Sequence, residues 1–269
     1  MNRYMKFAPA LLLIFAGVTL PSASARAAMN AGGFSREEAA QARKDPGRFT
    51  LDQRSVKIDE IARNVPAGVR IPAPKILSSD AIPELSDIIN LGLKIWSIIE
   101  KNKPVVDITT QYASALPKDL SQWSDLQGWH APAGNVYRLT ANNLYGARVI
   151  DVTFEVLRSY GGNYNGMGRY LTEATIEPLK VNVDWGYKFS LAANIPDSGI
   201  INVGTSKNPI AGMTLEASWR IDTALKTSAG RAVYYLQGDG LLRSMGGFSR
   251  SALRRQGAKA MASLREAAF

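Results

Sequence analysis

LKVNVDWGYKFSLAANI, residues 179–195, places an apolar side chain at every odd position from Leu179 to Ile195, with Lys180, Asn182, Asp184, Gly186, Lys188 and Ser190 between them. Side chains alternate across a strand, so a period of two means one buried face and one wet face. The same period recurs on both sides of this stretch. Ile150, Val152, Phe154 and Val156 alternate with Asp151, Thr153 and Glu155, and Met213, Leu215, Ala217, Trp219 and Ile221 alternate with Thr214, Glu216, Ser218 and Arg220. Weaker runs near 105–112, 135–140, 200–204 and 232–237 complete the pattern. It predicts a mainly β fold, an antiparallel β-sandwich or open barrel of seven or eight strands over 105–240.

Local chemistry refines this. The apolar positions are even before Pro178 (Tyr170, Ala174, Ile176) and odd after it. One buried face survives that change only with an extra residue, so a β-bulge is expected at Glu177-Pro178, with Phe154, Ile176, Leu179 and Val181 on the buried face. Asn165-Gly166 is the dipeptide of a tight hairpin turn joining 149–160 to 170–177. Pro196-Asp-Ser-Gly and Gly238-Asp-Gly mark further turns.

The flanks read differently. Residues 26–79 are polar, with a capping box at Ser35–Glu38 and a short helical spacing at Ile58, Ile61 and Val65, and are expected to be an N-terminal arm or linker. Over 80–104, Leu85, Ile88, Ile89, Gly92, Ile95, Trp96 and Ile99 repeat at helical intervals between Pro83 and Pro104, which predicts an amphipathic helix buttressing the β domain. Residues 241–269 carry Arg243, Arg250, Arg254, Arg255, Lys259 and Arg265 against Glu266 alone, and read as a basic amphipathic tail, helical after Gly247 with Leu253, Gly257, Ala260, Met261 and Leu264 on one stripe.

Residues 1–25 have the three parts of a secretory signal: Arg3 and Lys6, an uncharged apolar run from Phe7 to Leu20, then Pro21 and the small triplet Ala23-Ser24-Ala25. The apolar run is shorter than a spanning helix needs. The sequence contains no cysteine, which removes disulfides and thiolate chemistry, so the core alone must hold an exported chain together. These features point to a bacterial periplasmic or secreted protein. Its net charge of +9 sits largely in the export segment and the tail. The near-neutral body therefore gives no indication of nucleic-acid binding, while the tail offers contact with an anionic surface.

Few residue patterns carry chemistry. His130 is the only histidine, no Gly-x-Ser-x-Gly elbow is present, and with no cysteine a transition-metal site has almost no ligands. Asp151 and Glu155, like Glu173 and Glu177, are four residues apart on strands, about 13 Å, too far for glycoside hydrolysis, which leaves a cross-strand or loop pair as the open alternative to a solvated strand face. The run Gly161 to Gly168 joins two strands and lacks the helix N-terminus of a phosphate loop. No cofactor is implied. Trp123, Trp129, Tyr145, Tyr160 and Tyr164 fall in or beside loops among Asn, Asp and Gly, where rings can stack on sugar faces or anchor a partner, or else close the end of a core. The leading reading is an exported, non-enzymatic binding or envelope-interaction protein for a polysaccharide or envelope protein. A hydrolase of envelope polysaccharide and a membrane-active or pore-forming protein are the alternatives. Mass spectrometry of the exported protein is expected to find its N-terminus at Arg26 or within about three residues after it; a chain retaining Met1 to Ala25 would contradict this.

Overall fold

A computed structural model describes residues 33–66, 84–105, 111–120 and 125–249. The signal segment, Pro72 to Pro74, most of the 105–112 run, Trp123 and residues 250–269 of the tail lie outside the described residues. The described chain is mostly strand, in two antiparallel seven-stranded sheets with no closed barrel, which makes it a β-sandwich.

The strands are β1 (Lys57–Pro66), β2 (Glu84–Asn90), β3 (Ile95–Glu100), β4 (Lys103–Pro104), β5 (Ala113–Lys118), β6 (Leu126–Gln127), β7 (Ala133–Asn142), β8 (Arg148–Tyr164), β9 (Met167–Val183), β10 (Tyr187–Asn194), β11 (Ile200–Asn202), β12 (Ala211–Thr223), β13 (Thr227–Gln237) and β14 (Leu242–Ser249). One sheet runs β1-β7-β8-β9-β5-β2, with β6 on β8. The other runs β14-β13-β12-β10-β3-β4, with β11 on β12. The inner faces carry the expected residues: Ile150, Val152, Phe154, Val156 and Ile176 meet Phe189, Leu191, Met213, Leu215, Trp219 and Tyr234. Phe154, Tyr137 and Tyr234 form an aromatic trio across the sheets, with ring centroids 4.7 to 6.4 Å apart.

The long hairpin β8–β9 turns at Asn165-Gly166, with φ of 49° and 81°, the left-handed pair that a two-residue primed turn demands. The bulge near Pro178 exists one residue later than expected. Phe154 opposes Pro178 and Thr153 opposes Lys180, so Leu179 is the extra residue. It stands 51% exposed, while Ile176 is buried and Val181 packs against the core. Leu179 is therefore corrected from core to solvent, because the looped-out residue is the one released from the ladder.

Four expectations about organisation are overturned. In place of the helix expected over 80–104, the described residues 84–104 form β2, β3 and β4. Leu91 and Leu93 still donate to the Ser114 and Tyr112 carbonyls, and the chain then crosses to the other sheet. Its helical spacing arose because two strands on different sheets, joined at Gly92, bury residues of both parities. Their β-branched isoleucines favour the extended state. The polar arm is no appendage: Phe34, Phe49 and Leu51 are buried, and β1 is an edge strand whose two register shifts mimic a helical spacing at Ile58, Ile61 and Val65. The odd-numbered run 179–195 is two strands, since Tyr187 N–H donates to the Asp184 carbonyl in a tight turn. Finally, the start of the tail is β14, paired with β13 after the Gly238-Asp-Gly turn.

The one helix among the described residues, α1 (Arg36–Lys44), begins at the expected capping box. Ser35 Oγ accepts from Glu38 N–H, and Glu38 accepts from Ser35 N–H. Truncating Phe154 to Ala removes the ring joining the trio and should cost about 3–5 kcal/mol. Thermal melts should fall by roughly 8–15 °C; a loss of about two degrees would place the weight of the core elsewhere.

Candidate functional site

The hairpins give the sandwich two distinct ends. At the end where β8 meets β9, the structure brings together three of the sequence-predicted aromatics, Trp129, Tyr160 and Tyr164, with His130. They are not free platforms. Gly161 and Gly162 have no side chains to obstruct the rings of His130 and Trp129, which lie against them. His130 stacks on Tyr160 at 4.6 Å and 17°. Tyr160 also lies against Gly240, with the Arg158 guanidinium 5.3 Å from its centroid. All three aromatics pack on the core. They close the end of the sandwich.

Arg158 is wholly buried there and donates to the Ala133 carbonyl (2.7 Å) and the Gly240 carbonyl (2.6 Å) of the facing sheet. Its burial lowers its pKa, and it forms no ion pair with a carboxylate among the described residues. It acts as a hydrogen-bonded tie between the sheets.

The carboxylates of β8 and β9 are spread along the hairpin in different surroundings. Asp151 takes a bidentate contact from Arg138 (2.6 and 2.8 Å), with Lys180 at 3.5 Å, and the Arg138 hydrogen bonds hold its pKa down at about 2. Glu155 opposes Glu177 across the hairpin, and its carboxyl lies over Gly134 on β7. Glu173 is buried beside Ser159, whose hydroxyl donates to it. Burial pushes the pKa of both Glu155 and Glu173 up, with Glu177's charge adding to the first and the Ser159 hydrogen bond partly offsetting the second.

The opposite end is open. Between α1 and the β9–β10 turn lies a groove of about 420 Å³ lined by Glu37, Gln41, Asp45, Arg48, Phe49 and Trp185. Glu37 and Gln41 are four residues apart on one face of α1, and Asp45 caps the C-terminal end of the helix. Phe49 is buried against Gly186 and makes the floor. Trp185 meets it edge-on at 5.7 Å and 73° while remaining 53% exposed. Arg48 extends over Phe49, 5.7 Å from its centroid. Tyr145, the fourth predicted aromatic, borders the groove: its ring lies on Gly47 and its hydroxyl donates to Asp45 Oδ1 at 2.7 Å. That bond raises the Tyr145 pKa.

Trp185 escaped the sequence reading because it falls in step with the alternation. Asp184-Trp-Gly186 nevertheless has turn residues on either side of the ring, and that signal places Trp185 on a loop. Among the described residues no group of three metal-ligating side chains converges, and no helix is long and apolar enough to cross a membrane. No known protein family, curated protein or solved structure matches this chain.

The perturbed carboxyls set a pH profile. Between the ordinary carboxyl range and the raised values of Glu155 and Glu173, the folded chain binds more protons than the unfolded one, so stability falls as pH rises through that window. Asp151 works oppositely: its contribution is complete above its ordinary value of 3.8 and is lost as pH falls towards 2. Thermal melts should therefore peak at mildly acidic pH. Glu173→Gln should flatten the neutral side and raise the neutral-pH melting temperature by a few degrees. An unchanged slope in that variant would remove Glu173 from this role.

Proposed function

We propose that the chain is an exported binding protein, periplasmic or secreted, that holds a hydroxyl-rich saccharide of the cell envelope in the groove beside α1 and performs no chemistry on it. The observation that carries the reading is the half-exposed Trp185 ring facing a set of carboxylate and amide side chains. A planar indole covers the apolar face of a pyranose, while Glu37, Gln41 and Asp45 accept from its hydroxyls and Arg48 donates to ring or acetamido oxygens. The floor is preformed, because Asp45 Oδ1 is held by Tyr145 Oη and by Arg48 N–H at 3.3 Å, so little order is lost on binding.

A binding role fits these groups better than hydrolysis. Glu37 lies in the first turn of α1 and Asp45 caps its C-terminal end, so the length of the helix, roughly 12 Å, separates their backbones. Glycoside hydrolysis needs carboxyl groups within about 5–9.5 Å. Asp45 is moreover occupied by a tyrosine hydroxyl.

Calorimetric titration of the mature protein with envelope polysaccharide fragments tests the proposal. Trp185→Ala should weaken binding by roughly tenfold to thirtyfold, as loss of a central aromatic does. Asp45→Asn should weaken it to a smaller extent, and both variants should melt close to the parent because these side chains are outside the core. Undiminished binding by both would remove the groove from the ligand site.

A further inference from the structure

The antiparallel registers bring three turns to the same end of the sandwich. Asp151 opposes both Thr140 and Asn182, and Tyr187 opposes Thr223, so the β7–β8, β9–β10 and β12–β13 turns project together. Each tip carries a large apolar side chain in water: Leu144 is 57% exposed, Tyr145 69%, Trp185 53% and Leu225 41%. Turns ordinarily place small polar residues at such positions. None of these four belongs to the core.

Residues 45–53 run across this end and join the tips into one surface. Leu144 N–H donates to the Gly47 and Thr50 carbonyls (3.2 and 3.1 Å), Tyr145 lies on Gly47, and Phe49 packs on Trp185. Gln53 Nε2 reaches Ser228 Oγ (3.2 Å) at the start of β13. The β3–β4 turn is fixed beside them, since Asn102 accepts from Phe189 N–H and donates to the Tyr187 carbonyl.

Charged residues stand among these tips. Arg48, Lys101, Arg148 and Lys226 are exposed at this end, with Glu100 and Asp184 as exposed acids beside them and Glu37 across the groove. Two further acids are engaged, Asp45 with the Tyr145 hydroxyl and Asp52 with Arg54. Apolar residues on three separate turns, two of them amphipathic aromatics of the kind that settle at headgroup level, with exposed Arg and Lys side chains on the same turns or beside them, match an anionic bilayer surface. A saccharide alone has no use for Leu144 and Leu225.

We propose that this end docks on an anionic lipid membrane, with Leu144, Tyr145, Trp185 and Leu225 entering the interfacial layer and Arg48, Lys101, Arg148 and Lys226 meeting lipid phosphates. The docking is interfacial and spans nothing, because each turn reaches only a residue or two beyond the sheets. Neither leucine lines the groove. Failure of membrane docking and failure of saccharide binding are therefore separable.

The mature full-length chain is floated with vesicles of equal parts phosphatidylcholine and phosphatidylglycerol, and with phosphatidylcholine alone. Binding to the anionic vesicles only, weakened by high salt, is expected. The pair Leu144→Asp and Leu225→Asp should lower the vesicle-bound fraction about tenfold or more, because two apolar side chains no longer leave water. The tip charge reversals Arg148→Glu and Lys226→Glu should lower it as well. Circular dichroism melts confirm that each variant is folded, and Trp185→Phe should remove a vesicle-induced blue shift of the fluorescence. Three results overturn the proposal: equal binding to both vesicle types, parental binding by the leucine variant, or binding abolished by truncation after Gly247 with the turns intact.

Discussion

The register of the β8–β9 hairpin is the constraint on which the rest depends. Slipping it by one residue would turn Ile150, Val152, Phe154 and Val156 to solvent and direct Asp151, Thr153 and Glu155 into the core in their place. The register is pinned at its tip by the left-handed pair Asn165 and Gly166, and further along by the bulge at Leu179. From β8 it passes to β7 and β1, and from β9 to β5 and β2. The facing sheet is then placed by contact across the core, through Tyr137, Phe154 and Tyr234, and by the hydrogen bond from Gly161 N–H to the Gly238 carbonyl at 2.9 Å. With no disulfide available, these apolar and backbone contacts must carry the stability of the fold.

Two classes of buried polar group sit within this frame and act in opposite directions. Arg158 converts its charge into ties to carbonyls on neighbouring β7 and on the facing sheet, so removing it would leave oxygens unpaired as well as a void. Glu155 and Glu173 lie on β8 and β9 with their ionised forms disfavoured by burial. Glu173 also holds a left-handed φ of 55°, a conformation that non-glycine residues seldom adopt. The bulge around Glu173 lets Ser159 reach its carboxyl, and the register shift between Leu157 and Ser159 records the same irregularity. Strain and desolvation are therefore concentrated in one stretch of an otherwise regular hairpin.

What was legible in the sequence follows from which forces are local. Alternation identified the inner faces of β8, β9, β10 and β12, because period two is imposed by the strand itself. The Asn165-Gly166 turn and the Ser35 capping box were readable for the same reason: each is specified within four residues. The segment 80–104 was not, since β2 and β3 lie in different sheets and their combined apolar pattern imitates a helix. The extent of the fold towards its N-terminus was hidden as well, because Phe34, Phe49 and Leu51 acquire their burial from strands far along the chain. At the sites, loop position grouped Tyr145 with Trp129, Tyr160 and Tyr164, which have similar neighbours, and left open which rings are exposed. Their difference is tertiary: Gly161, Gly162 and Gly240 give those rings backbone to lie against.

That difference also explains why both proposed interactions fall at one end. A ring contributes to binding when its face is free and its position is fixed beforehand. At the β8–β9 end the positions are fixed, but the faces are spent on His130, Arg158 and glycine backbone. At the other end residues 45–53 fix the rings from beneath or along an edge. Gly47 supports Tyr145, Phe49 supports Trp185, and the Tyr187 hydroxyl anchors the Arg48 carbonyl at 2.5 Å. Burying Phe49 at 3% exposure spends one aromatic on the core so that Trp185 can stand above it at 53%. The segment that reads as a polar linker in sequence thus has a definite physical task. It stiffens the turns of a sandwich whose own strands stop short of them, and it turns three separate hairpin tips into one preorganised surface.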